Sequence, residues 1–204
     1  MLNQCACYCV KKLEKYYPIE EDDKDIYIYG FEITFSTLFS LSSITLLSLL
    51  LGRIEYAIFF VLFFFSLRLF CGGYHADTYA KCFFITNLTF LSTVAYTYLV
   101  MLTKASFIMP VLFFLGAVVI FLFSPVKNEN HPCSEKTYKK NKIISRSLVC
   151  VYAAAYIPIF VFVPDRHIAV NAAWSFISVS IMIIIEKIKQ KGVKRNESNQ
   201  YKNC

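Results

Sequence analysis

Six long apolar stretches occupy most of this 204-residue chain, and they restrict its fold more than any other feature. A helix needs about 20 apolar residues to cross a hydrocarbon core of about 30 Å, and each stretch approaches that length. Nothing alternates over strand-length windows as a membrane barrel would. The sequence therefore predicts an all-α polytopic membrane bundle. The predicted spans cover residues 31–51, 54–70, 83–102, 107–124, 147–164 and 168–186.

The segment before the first span, residues 1–30, is charged but not uniformly polar. Val10, Leu13, Tyr16 and Tyr17 recur at helical spacing, which favours a short amphipathic helix lying on the membrane surface. We therefore divide the chain into three regions. These are an interfacial segment (1–30), a transmembrane catalytic domain (31–186) and a basic tail (187–204).

Basic residues indicate the orientation of the bundle. If both termini are cytosolic, all but three of the 21 Lys and Arg residues fall on the inner side; the exceptions are Arg53, Lys104 and Arg166. The tail is then a cytosolic segment without ordered structure, and the acidic run at residues 20–23 is a solvated connection. The basic residues flank spans rather than forming one stripe, so nucleic acid is not expected as a partner.

A polar, glycine-broken interval separates the second and third spans at the predicted cytosolic face. It runs from Arg68 through Gly72, Gly73 and His75 to Cys82. Such an interval is costly in lipid, so it usually marks function rather than packing. A nucleophilic thiol needs a base and electropositive surroundings, which a histidine, a lysine and an arginine supply here. The interval therefore predicts a thiol active site.

Geometry requires the chain to bend within this interval. On a straight helix, residues seven apart lie about 10.5 Å apart along the axis, too far for a hydrogen bond between His75 and Cys82. The two glycines allow His75 to fold back while a new helix begins near Asp77 or Thr78, both good N-caps. Cys82 then lies in the first turns of that helix.

Several alternatives remain open at this stage. Cys71 is a competing nucleophile, and either Asp77 or Glu32 is a candidate to orient the imidazole, although a dyad can act alone. A single histidine and cysteine are also compatible with mere packing. A zinc site lacks the repeated C-x-x-C pairs that would favour it, so we expect no metal and no cofactor. The residues considered for zinc are Cys71, His75, Cys82, His131 and Cys133.

The motifs resemble the accessory gene regulator B family (AgrB), membrane cysteine endopeptidases of Gram-positive quorum sensing. Three pieces of sequence carry the resemblance. They are Arg68, Gly72-Gly73, His75-Ala76 and Cys82 at these spacings, Tyr29-Gly30-Phe31-Glu32 at the start of the first span, and Ser124-Pro125-Val126 before a Lys-rich segment. Cys71 and the amino-terminal Cys5, Cys7 and Cys9 are additional thiols that make the assignment of one nucleophile less clean.

The resemblance implies a reaction and a substrate. Cys82 would be the nucleophile and His75 its base, acting on an AgrD-like propeptide with an acidic carboxyl-terminal tail. The enzyme would release that tail, hold the signal segment as a thioester and pass it to an internal Cys or Ser, closing a thiolactone or lactone ring. Arg68 or backbone amides near Cys82 would stabilise the oxyanion. The inner basic segment would bind the acidic tail, through Lys136, Lys139, Lys140 and Lys142.

Two other functions are compatible with the sequence. A membrane peptide carrier or export component would use His75 as a gating group and would tolerate loss of Cys82. A purely structural subunit would depend on neither residue. Six helices in a short chain form a small bundle that a second copy would help to seal, so a homodimer surrounded by membrane lipid is expected.

Overall fold

Helices make up nearly all of the part of the chain that the structure describes, a computed structural model covering residues 2–72, 78–126 and 135–202. Six of them are long and apolar enough to cross a membrane, so the prediction of an all-α, six-span bundle is confirmed. The helices are α1 (Leu2–Glu14), α2 (Glu21–Leu50), α3 (Ile54–Cys71), α4 (Tyr79–Thr103), α5 (Met109–Phe123), α6 (Glu135–Phe162) and α7 (Arg166–Lys202).

Helix α7 is the central helix of the bundle. In its most apolar window 56% of the residues are buried, compared with 17% for α2 and for α6, and its main partner is α5. Gly116 allows α5 and α7 to approach closely, because a Cβ atom there would lie 3.1 Å from the Cβ of Phe176. Phe176 is fully buried and packs on Phe113 with ring centroids 4.3 Å apart. These contacts fix the frame around which the other spans pack.

Helix α3 departs from regular geometry just before it reaches the polar interval. Residues Val61–Phe65 form a π-helical turn, in which backbone carbonyls lose their usual partners. The carbonyl oxygen of Leu62 accepts from the hydroxyl of Ser66 and also from the hydroxyl of Tyr152 at 3.0 Å, and the second bond joins α3 to α6. The regular α-helix resumes at Ser66 and carries Arg68 two residues later.

The amino-terminal helix is confirmed, but it is shorter than the apolar spacing suggested. It ends at Glu14, with Val10 buried, whereas Tyr16 and Tyr17 lie beyond it and are exposed. Helix α1 packs on α2, and Lys24 reinforces the contact through an ion pair of 2.9 Å to Glu14.

Three segments outside the predicted spans are helical rather than irregular. The acidic run was interpreted as a solvated connection, but α2 already begins at Glu21. Acidic residues in a first turn stabilise the helix dipole, which explains the early start. The inner Lys-rich segment lies before the predicted span 147–164, yet α6 begins at Glu135. The tail was expected to lack ordered structure, but α7 continues through Lys202. A preformed transmembrane helix removes the cost of nucleation, so polar helix formers extend it.

Candidate active site

Cys82 lies near the beginning of α4, as the sequence predicted. Thr78 is the N-cap of this helix, and its hydroxyl accepts a hydrogen bond from the backbone N–H of Lys81 at 3.3 Å. The backbone N–H of Cys82 donates to the carbonyl oxygen of Thr78 at 3.1 Å, which closes the first helical turn. The Cys82 side chain is only partly buried. Its thiol is therefore held by a rigid helix and remains reachable from outside the bundle.

Arg68 approaches this thiol from the end of α3. Its Nη2 atom lies 3.7 Å from Cys82 Sγ, and its Nη1 atom lies 2.9 Å from the thioether sulfur of Met182 on α7. The guanidinium carbon is 5.6 Å from the centroid of the Phe64 ring. A fixed cation beside a thiol favours the thiolate form, which is the nucleophilic form. The structure thus brings together two residues that the sequence singled out for chemistry.

The predicted base and one predicted orienting acid fall outside the described residues. His75, Gly73 and Asp77 belong to the stretch 73–77, which connects α3 to Thr78. Their roles therefore stay predictions. The residues on both sides of this stretch, Gly72 and Thr78, are described.

Gly72 and Val126 join two of the sequence motifs. They form an isolated parallel bridge, and the backbone N–H of Val126 donates to the carbonyl oxygen of Cys71 at 3.0 Å. Gly72 has a φ of 68°, and a Cβ atom there would lie 2.8 Å from the carbonyl oxygen of Val126. Only glycine fits this backbone conformation and this close approach. The motif around Ser124 is therefore a structural partner of the glycine break, which sequence reasoning did not foresee.

Cys71, the competing nucleophile, is fully buried at the carboxyl end of α3. Next to it, Ser124 is also buried, and its hydroxyl donates to the hydroxyl of Ser145 on α6 at 3.0 Å. A substrate cannot reach a thiol with no exposed surface without rearrangement of this packing. The geometry favours Cys82 over Cys71 as the reactive thiol.

Glu32, the second candidate orienting acid, is occupied by two other groups. One carboxylate oxygen accepts from the hydroxyl of Tyr79 at 2.9 Å, and the other accepts from the side-chain amide of Asn3 at 2.8 Å. Tyr79 precedes Cys82 by one helical turn. Glu32 therefore fastens α1 and α2 to the beginning of the helix that carries the thiol. Neither Asn3 nor Tyr79 could be identified from the sequence, because their partner Glu32 is distant along the chain.

The predicted tail-binding lysines lie on the first turns of α6. Lys136, Lys139 and Lys140 are exposed, and Lys142 is partly buried. Arg146 follows one turn later, with its guanidinium carbon 5.0 Å from the centroid of the Phe121 ring. An exposed row of cations on a helix is suited to an acidic peptide, and its attraction would be weakened by salt. The lysines do not contact Cys82 in the described part of the chain.

No group of three potential metal ligands occurs among the described residues. Three of the five residues considered for zinc, His75, His131 and Cys133, fall outside the described ranges. The expectation that the protein uses no metal therefore stays a prediction.

Comparison with known proteins identifies related sequences over most of the chain. The sequence model of the family described as Accessory gene regulator B matches residues 6–186. A putative AgrB-like protein of Clostridium perfringens (strain SM101 / Type A) is 28% identical over 176 residues, covering 81% of this chain and 78% of that protein. Putative AgrB-like protein 2 of Clostridium perfringens (strain 13 / Type A) is 24% identical over 197 residues, covering 91% of this chain and 86% of that protein. No solved structure matches the chain.

Proposed function

Because the chain belongs to the accessory gene regulator B family, we propose that it is a membrane cysteine endopeptidase that cleaves and cyclises an AgrD-like propeptide. Family membership and six spans support a multi-pass membrane protein with an accessory role in quorum sensing. The single observation that carries the proposed chemistry is the contact between the Arg68 guanidinium and the partly exposed Cys82 thiol.

The first step is attack of the Cys82 thiolate on the carbonyl carbon of the peptide bond that joins the signal segment to its tail. His75 takes the thiol proton and returns it to the leaving amine as the carbon–nitrogen bond breaks. The signal segment then remains on Cys82 as a thioester, and the tail leaves with a new amino terminus. Arg68 lies next to the sulfur, close enough to stabilise developing negative charge on the carbonyl oxygen.

In the second step an internal thiol or hydroxyl of the peptide attacks the thioester carbon. The new carbon–sulfur or carbon–oxygen bond closes the ring, the bond to Cys82 Sγ breaks, and the proton from the attacking group returns to the Cys82 dyad. Exchange of a thioester for a thiolactone is nearly balanced in free energy, so hydrolysis has to be prevented by excluding water. Cys82 is only partly exposed, and the Arg68 group beside it contacts the partly buried Met182, so these surroundings support limited access of water to the thiol.

The propeptide and a second copy of the chain are the proposed partners. The exposed lysines at the beginning of α6 would attract the acidic tail, and a homodimer would complete the seal around the site. Six spans would leave both termini on one side of the membrane, and the distribution of basic residues supports a cytosolic location for that side and for the site.

The carrier alternative needs polar groups that line a path through the bundle. The buried hydroxyls of Thr86, Thr93 and Thr97 on α4 instead donate to carbonyl oxygens four residues earlier in the same helix. Hydroxyls that are satisfied within their own helix place no demand on a passing substrate. The three hydroxyls on α4 therefore give no support to the carrier.

The test is to co-express the full chain with an AgrD-like propeptide and to follow tail release by mass spectrometry. We expect Cys82→Ala to abolish release and Cys71→Ala, the matched buried thiol, to retain it. Brief denaturation of the wild-type reaction should trap a peptide joined to Cys82. Normal release by Cys82→Ala would reject the endopeptidase and favour the carrier.

A further inference from the structure

Two of the buried hydrogen-bond donors that lack a partner among the described residues lie next to one aromatic ring, toward the end of the bundle opposite Cys82. They are the hydroxyl of Tyr156 on α6 and the Nη1 atom of Arg166 at the beginning of α7. Tyr156 is only 2% exposed. Both groups adjoin the same ring, because Phe160 stacks on Tyr156 with centroids 6.1 Å apart and the guanidinium carbon of Arg166 lies 4.5 Å from its centroid.

Unsatisfied buried polar groups of this kind are uncommon and costly, and they call for an acceptor. A guanidinium can only donate, and a tyrosine hydroxyl can donate, so the common complement is an oxygen that carries negative charge. Asp165 does not supply it. Its Oδ1 atom accepts from the backbone N–H of His167 at 2.9 Å. The ring of His167 does not supply it either, because that ring is hydrogen-bonded to the Tyr56 hydroxyl at 2.8 Å.

The position of Arg166 relative to the membrane surface indicates which kind of molecule could supply this oxygen. Along α7, Arg166 is about 24 Å from Met182, which contacts the active-site arginine, at about 1.5 Å per residue. Because a hydrocarbon core is about 30 Å thick, Arg166 lies near the membrane surface opposite the active site. On α6, Ile157 and Val161 are exposed next to the pair and offer an apolar surface.

We propose that Arg166 and Tyr156 bind the phosphate of an anionic phospholipid, whose acyl chains lie along the exposed face of α6 and whose entry displaces the side chains that cover both donors. The guanidinium offers two donors to phosphate oxygens, and the hydroxyl offers a third. The bound lipid would satisfy both buried donors and would fix the connection between α6 and α7. The site is separate from the proposed chemistry, and its existence does not depend on it.

Native mass spectrometry of the full-length protein in detergent, titrated with phosphatidylglycerol, tests the proposal. We expect Arg166→Gln to weaken binding of one lipid about tenfold, because it removes a charge-assisted pair, and Tyr156→Phe to weaken it less. Arg53→Gln is the matched control. Arg53 lies at the same end of the bundle and is paired with Glu55 at 3.3 Å, so its removal should leave this lipid bound.

Competition separates a lipid site from a small-anion site. Phosphatidylcholine and inorganic phosphate at equal concentration should not displace the bound phosphatidylglycerol. Displacement by inorganic phosphate would replace the lipid proposal with a free-phosphate site, and equal binding by wild type and Arg166→Gln would overturn it. If Arg166→Gln does not fold, Arg166→Lys keeps the charge without the planar fork. Unchanged lipid binding in both Arg166→Lys and Tyr156→Phe would then overturn the proposal.

Discussion

The guanidinium of Arg68 lies 3.7 Å from the thiol of Cys82, across the break between α3 and α4. The same guanidinium also contacts the sulfur of Met182 and the ring of Phe64. A cation in a membrane span is costly, so a fixed position next to a thiol is more consistent with function than with packing. This contact is the basis of the first prediction.

Replacing Arg68 with methionine should slow alkylation of Cys82 near neutral pH by about tenfold, because an opposite charge at this distance favours the ionised thiol. Arg68→Lys should have an intermediate rate, since it keeps the charge but loses the planar fork. The measurement is the iodoacetamide rate at each thiol, separated by mass spectrometry. Arg146→Gln, which removes a cation near Phe121 at the same end of the bundle, should react like wild type. Equal rates for Arg68→Met and wild type would contradict the contact.

Gly72→Ala should destabilise the protein more than Gly52→Ala. Both glycines have positive φ, 68° and 65°, in sparsely populated backbone regions that cost an L-residue about 1–3 kcal/mol. A Cβ at Gly72 would also lie 2.8 Å from the carbonyl oxygen of Val126, whereas nothing lies within 4 Å of one at Gly52. Thermal unfolding in detergent compares the two. Equal losses of stability would mean that the bridge to Val126 is not maintained.

The hydrogen bond between Tyr79 and Glu32 should couple the two residues energetically. Tyr79→Phe and Glu32→Ala should each cost about 1 kcal/mol, and the double variant should cost less than their sum by at least about 0.5 kcal/mol. Unfolding free energies of the four proteins give this coupling. Tyr98→Phe, an exposed position on the same helix, should be near neutral. Strict additivity of the two substitutions would show that the bond contributes nothing.

Reversing two charges, Lys139→Glu with Lys140→Glu, should raise the KM for a propeptide with an acidic tail and leave kcat nearly unchanged. These lysines are exposed and do not contact the thiol, so their effect is on binding, and it should shrink as salt increases. Lys104→Glu, at the opposite end of the bundle, is the control. Unchanged cleavage by the double variant would reject this surface as the binding site of the tail.

Much of this architecture follows from composition along the chain. The spans are predictable because apolar length is what a bilayer demands of a helix. The beginnings of α2 and α6 cannot be predicted in this way. Glu21 and Glu135 continue each helix beyond the lipid into water, where hydropathy carries no information. The beginning of α4 was predicted near Asp77 or Thr78, because an N-cap is a local signal, and Thr78 is the N-cap in the structure.

Some contacts around the candidate site could be predicted from the sequence, and others could not. The proximity of Arg68 to Cys82 could be anticipated, since both flank one short interval. The contacts made by Met182, Val126 and Asn3 could not be, because each joins elements far apart in sequence. A spacing pattern reports what a helix does locally, whereas tertiary partners depend on how helices pack.

The most direct test of the central claim is the alkylation rate of Cys82 as a function of pH, in the purified full chain and in His75→Ala, with mass spectrometry separating the eight thiols. The account predicts that Cys82 of the wild type remains reactive below neutral pH and that His75→Ala loses this reactivity, while Cys71 stays slow in both. If Cys82 behaves as an ordinary thiol in both proteins, the resting dyad does not exist and the proposed cysteine chemistry is contradicted.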